Sequence, residues 1–158
     1  MPETSAAEAG AVLAFDFGRA RTGVAVGDLA VALSHPVTTL RTTDDATRIA
    51  QIAPLVREWA PVQLVVGRPP GTDDGAPHAL GGAIDAFAQA LRDTFGLPVE
   101  FADESWSSAD AASRLAEAGV RGRAQKAHLD AQAACVILDT WFSQRRGAAT
   151  VDARHVAA

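Results

Sequence analysis

The chain carries a single cysteine, Cys135, among 158 residues, so it can form no internal disulfide and build no thiolate metal centre. The surrounding run, AACVIL, makes that cysteine a small core residue. No apolar stretch approaches the length of a membrane span. The opening, MPETSAAEAGAVLAF, lacks a basic region ahead of an apolar one, so no secretion signal is expected and a cytoplasmic protein is. Lysine is almost missing: Lys126 is the only one, and arginine supplies the rest. Excess positive charge is missing too, with 19 acidic side chains against 14 basic ones, a net charge of −5 and a pI near 5.2. Nucleic-acid binders are usually more basic, so any contact with phosphates has to rest on a local patch. Arg121, Arg123, Lys126 and His128 crowd into one such stretch, which a solvated surface loop would also explain.

What is present is an ordinary globular composition, 48% hydrophobic and 21% charged. The length suits one domain around one core. Residues 1–11 are expected to form a flexible leader, 12–143 the folded domain and 144–158 a flexible tail rich in alanine. VLAFDFG, GVAVGD and HPVTTL read as three strands, the first two joined by the turn GRARTG. From Asp44 to Trp59 the spacing of Ile49, Ile52, Val56 and Trp59 predicts a helix, which Pro54 should kink or split. VQLVVG is a continuous apolar strand of the kind covered on both faces. RPPGTDDGAPHA reads as a turn-rich loop. A second helix carries Leu80, Ile84, Phe87, Leu91 and Phe95 on one face and ends at Gly96 and Pro98. PVEFAD is a fifth strand; a helix starts at Ser107 or Ser108 and stops at Gly119, and a last helix runs from about Ala127 to Phe142. The order implies an α/β fold: a mixed five-stranded sheet, an antiparallel β1-β2-β3 meander followed by parallel strands, flanked by helices.

Three acids stand where such a fold has chemistry. Asp16 ends an apolar strand between Phe15 and Phe17, so its carboxylate needs a cation or hydrogen-bond donors, unless it simply caps the following turn. Gly18 and Gly23 bracket that turn and allow a phosphate or its metal close to the backbone. At the end of the fifth strand Asp103 and Glu104 point to opposite faces, and the residues alone leave open which faces the site. Asp130 shares a helical face with Ala134, Ile137 and Trp141, an apolar stripe on which a lone carboxylate is unfavourable without compensation. The dipole of the helix start is one source of that compensation and a bound metal is another. Three acids with scattered histidines suit Mg²⁺ or Mn²⁺ better than zinc. Two such ions about 4 Å apart can activate a water and steady the leaving oxygen of a phosphodiester.

With these residues assembled, the sequence resembles the YqgF/RuvX family, whose members are known as pre-16S ribosomal RNA nucleases and as Holliday-junction resolvases. FDFGRARTGVAVGD, VVGRPPGTDDG, ADESWSS and KAHLDAQAACVILDTWF resemble four family segments in order, over roughly residues 12 to 143. The resemblance implies a ribonuclease-H-like fold, and it implies that Asp16, Glu104 and Asp130 are the catalytic, metal-binding carboxylates. It also implies a role in maturing the 5′ end of 16S ribosomal RNA precursors. Three positions depart from the pattern: Ser105 replaces an arginine, Arg68 a leucine and Ala20 a lysine, while Arg21 is kept. Arg19, Arg21, Arg68, Arg121, Arg123 and Lys126 are the expected phosphate contacts, with Arg68 offsetting the charge lost at Ser105. Trp106 is expected to be half-buried, or else to stack on a base.

Two other classes compete. FDFGRARTG also resembles the phosphate loop of small ATPases and sugar kinases, but those need two lobes and a second such loop. A non-catalytic nucleic-acid-binding module serving ribosome or transcription factors is the other rival. Substrate is expected to be RNA, with DNA or branched DNA as alternatives; no membrane partner is expected, and the chain is a monomer or homodimer.

Overall fold

The computed structural model describes residues 9–68, 81–103 and 130–145. Strands β1 (Ala11–Asp16), β2 (Arg21–Asp28) and β3 (Ser34–Arg41) form the antiparallel meander. Helix α1 (Asp45–Trp59) leads to β4 (Gln63–Arg68), and helix α2 (Gly81–Phe95) leads to β5 (Val99–Asp103). A final helix, α3, covers residues 130–145. The sheet order is β3-β2-β1-β4-β5, with β4 parallel to β1 and β5 parallel to β4. This is the expected mixed sheet of ribonuclease-H-like topology. Among the described residues, no helix is long and apolar enough to cross a membrane.

Strand alternation splits the core in two. Leu13 and Phe15 of β1, with Phe17 just beyond its end, join Leu64 and Val66 of β4 against Ile52 of α1 and Ile84, Phe87 and Leu91 of α2. On the other face Val12, Ala14, Val65 and Ala102 meet Ile137, Leu138, Trp141 and Phe142 of α3. β1 and β4 are apolar on both faces because helices cover both.

Three local expectations change. Pro54 does not split α1, which runs unbroken from Asp45 to Trp59. Pro54 and Ala50 both face solvent, so water can serve the carbonyl that a proline nitrogen cannot. β2 begins at Arg21, inside the anticipated turn, and the ladder even continues past it through Thr42 N donating to the Ala20 carbonyl at 3.1 Å. α3 continues beyond Phe142 to residue 145, where Arg145 lies 5.5 Å from the Trp141 ring, one helical turn back. The loop at 69–79, Leu80, the helix from Ser107 and the extremes of both termini lie outside the described residues.

Candidate functional site

The carboxyl ends of the parallel strands β1, β4 and β5 meet at one edge of the sheet, the side on which open α/β sheets hold ligands. Asp16 ends β1 there. Val12 and Ala14 face α3, so the same alternation turns Asp16 toward α3, half-buried. Its antiparallel partner is Gly23. A Cβ added to Gly23 would stand 1.8 Å from the Asp130 carbonyl oxygen, so α3 comes down directly on the glycine backbone. That contact brings Asp130 to the neighbourhood of Asp16, although 114 positions separate them in the chain. The next residues on this face along the row are Gly67 and Ala102, which are paired with each other. The floor beside Asp16 is therefore made of residues with little or no side chain.

Asp130 is a partly buried carboxylate beside two arginines. Burial pushes its carboxyl above the ordinary carboxylate range, and Arg21 and then Arg41 pull it part of the way back. Its Oδ2 lies 3.0 Å from Arg21 Nε, yet this buried oxygen has no hydrogen bond of acceptable geometry among the described residues. The contact is a charge pair without an aligned N–H, and it leaves an acceptor unsatisfied. A buried oxygen in that condition on a half-buried carboxylate, with a second carboxylate on the neighbouring strand, offers the hard oxygen donors that Mg²⁺ or Mn²⁺ takes. Glu104, the third expected ligand, lies outside the described residues, and among the described residues no three potential ligands converge. Ala102, two positions before Glu104, does face α3.

The expected phosphate contacts separate into groups. Arg19 is exposed on the turn after Asp16, and Arg21 is half-exposed beside Asp130. Arg68 lies on the opposite face, where its guanidinium pairs with Asp85 of α2 and stacks 3.9 Å from the Phe101 ring centroid. Arg121, Arg123, Lys126 and Trp106 lie outside the described residues. Cys135 is buried, its thiol pushed up to about 11 by desolvation, partly opposed by Ser34 and reinforced by Asp139.

Two arginines, one at the site and one behind it, were missed by sequence reasoning. Arg41 pairs with Arg21 across β2 and β3, so it faces Asp130 as well; only the strand register reveals this. Arg48 of α1 is 1% exposed and bonds to the turn that follows Asp16. Its signal was present, an arginine four positions before Ile52 on the apolar stripe of a helix.

Comparison with known proteins bears on the family and the fold. The family model described as "RuvX: Holliday junction resolvase" matches residues 10–144. A protein of Dechloromonas aromatica is 47% identical over 133 residues, covering 84% of this chain and 90% of its own. One of Chromobacterium violaceum is 48% identical, covering 84% and 96%. Both bear the name "Putative pre-16S rRNA nuclease". Among solved structures, RuvC of T. thermophilus in complex with a Holliday junction substrate aligns with TM-score 0.55 and 14% identity, covering 87% of this chain and 96% of that one. At that identity the match speaks for the fold.

Proposed function

Since this chain belongs to the RuvX family, we propose that it is a metal-dependent nuclease of nucleic-acid phosphodiesters and that it acts in 5′-end maturation of precursor 16S ribosomal RNA. The observation that carries the reading is the buried Oδ2 of Asp130, without a hydrogen bond among the described residues, on a helix seated over Gly23 beside Asp16. The substrate rests on the names of relatives that share nearly half their residues with this chain.

In this reading residues 12–143 are the nuclease domain, and Asp16, Asp130 and Glu104 hold Mg²⁺ or Mn²⁺. Glu104 is included on the family resemblance; it follows by two positions Ala102, which faces α3. The ions supply a water of lowered pKa and charge stabilisation at the departing 3′ oxygen. Asp16 and Asp130 serve as unprotonated oxygen donors. Arg19, Arg21 and Arg41 stand at the same edge of the sheet and neutralise substrate phosphates, with Arg121, Arg123 and Lys126 extending that charge along the chain before Asp130. Arg68, engaged with Asp85 and Phe101 on the far face, takes no part. The site is cytoplasmic, and its partner is RNA.

The test is cleavage of precursor RNA, single-stranded DNA and a four-way junction side by side with Mn²⁺. Wild-type protein cuts the RNA and stops on chelation; Asp16→Asn folds but does not cut. Turnover by Asp16→Asn would end the carboxylate mechanism. A second reading, junction resolution, draws on the description of the family, and preferential cutting of the four-way junction would select it.

A further inference from the structure

We propose that Arg48 is a positioning residue for this site, one that never meets the substrate but fixes the turn following Asp16; the idea rests on the nuclease reading for its effect on turnover. Arg48 sits in the first turns of α1, across the sheet from α3 and thus away from the carboxylates. Its Nη2 donates to the Arg19 carbonyl at 2.9 Å and the Thr42 carbonyl at 2.9 Å, with the Gly18 carbonyl at 3.4 Å. Nη1 pairs with the Asp45 carboxylate. The guanidinium carbon lies 4.8 Å from the Phe17 ring centroid and 6.0 Å from that of Phe87. Phe17, Gly18 and Arg19, the three residues directly after Asp16, are therefore all held by one side chain.

The choice of residue is the argument. Among fully buried side chains Arg48 is the largest, and burying a guanidinium is costly unless its donors are matched. If position 48 had only to fill the core beside Ile52 and Phe87, an aliphatic side chain would do so without that cost. What an aliphatic side chain cannot do is bond to carbonyls on two separate segments, the β1–β2 turn and the β3–α1 link. The turn needs such a hold. Its own closure is tight, since a Cβ on Gly18 would lie 2.4 Å from the Arg21 carbonyl oxygen, but its internal side-chain bond, from Thr22 Oγ1 to the Gly18 carbonyl, is long at 3.4 Å. The Nε of Arg48 itself has no partner among the described residues, so the geometry serves the carbonyls rather than satisfying the arginine. Loosening the turn moves the end of β1, and with it Asp16, relative to Asp130.

Two variants test this. Arg48→Met keeps the apolar stem and removes the donors; Arg48→Ala opens a space. A groove of about 440 Å³, lined by Arg48, Phe17, Arg19, Thr43 and Asp44 among others, gives free guanidinium ion a way in. We expect Arg48→Met to melt cooperatively and its amides at residues 18–22 to exchange hydrogen about tenfold faster than in wild type, with the rest of the sheet unchanged. We expect kcat on RNA to fall by on the order of 100-fold with KM little altered, as for a misplaced catalytic group. Guanidinium, well below denaturing concentration, should restore part of the turnover of Arg48→Ala. Wild-type exchange in the turn of Arg48→Met overturns the proposal. So does faster exchange spread evenly over the sheet, which would mark a merely structural loss. If wild-type protein itself cuts nothing, the nuclease reading fails by its own test, and the exchange in the turn still decides whether Arg48 holds it.

Discussion

Asp130 carries a cost that a metal ion or a proton relieves. Its carboxyl is raised by desolvation against the pull of Arg21 and Arg41. A group raised in the folded protein binds its proton more tightly there than in the unfolded chain. The charged form thus costs stability above the folded pKa; the cost starts to fade as pH drops through that value and is gone only below the ordinary carboxylate value of the unfolded chain. Asp130→Asn should therefore raise the melting temperature of metal-free protein at neutral pH. The gain should shrink toward acid, where wild-type Asp130 is itself protonated. Melting curves of both proteins across that range check the sign, and a gain independent of pH would show that the carboxylate is not strained. Cys135 gives a second expectation. With its thiol at about 11 and its side chain buried, almost no thiolate exists at neutral pH. Alkylation of native protein by iodoacetamide should be slow and should become rapid once the chain is unfolded.

The contact between β2 and α3 is the packing on which the site depends. Gly23 is extended and buried within β2, and the backbone of Asp130 and Ala131 occupies the space a side chain would take. Gly23→Ala would force α3 outward, an overpacking that costs roughly 1–3 kcal/mol, and it would move Asp130 from Asp16. Thermal unfolding should show the loss, and Mn²⁺ affinity measured by calorimetry should fall beyond what the stability change explains. The same packing accounts for the small residues around Asp16, since bulk at Gly67 or Ala102 would fill the space before the carboxylates. α1 contributes differently. Asp44 caps its first turn by accepting from Thr47 N at 2.8 Å, which fixes the register in which Arg48 reaches the β1–β2 turn.

For the protein as a unit, an acidic balance and a nucleic-acid substrate are compatible because charge is distributed unevenly. The chain is −5 in sum, yet Arg21 and Arg41 share the end and the face of the sheet on which Asp16 and Asp130 stand. Binding that relies on such a patch releases counterions from the substrate. RNA affinity should fall steeply as salt rises, and Arg41→Ala should reduce the slope of log affinity against log salt by about one ion. Fluorescence anisotropy with labelled precursor RNA measures both. A flat salt response would remove the patch from the account.

Alternation and helical spacing in the sequence were enough to place five strands in order, the antiparallel opening and the parallel remainder, because hydrophobic periodicity is a local property and handed crossovers leave few topologies. Asp16 and Asp130 were marked in the same way, as acids on otherwise apolar stretches. Pro54 misled because its effect depends on whether its neighbours face water, which the local pattern does not state. The pairing of Arg21 with Asp130, the approach of α3 to Gly23, the turning of Arg68 toward Asp85 and the carbonyls that Arg48 reaches were decided only by the tertiary structure. Each depends on which residues from distant segments share a face and a register, and that is settled when the helices dock on the sheet.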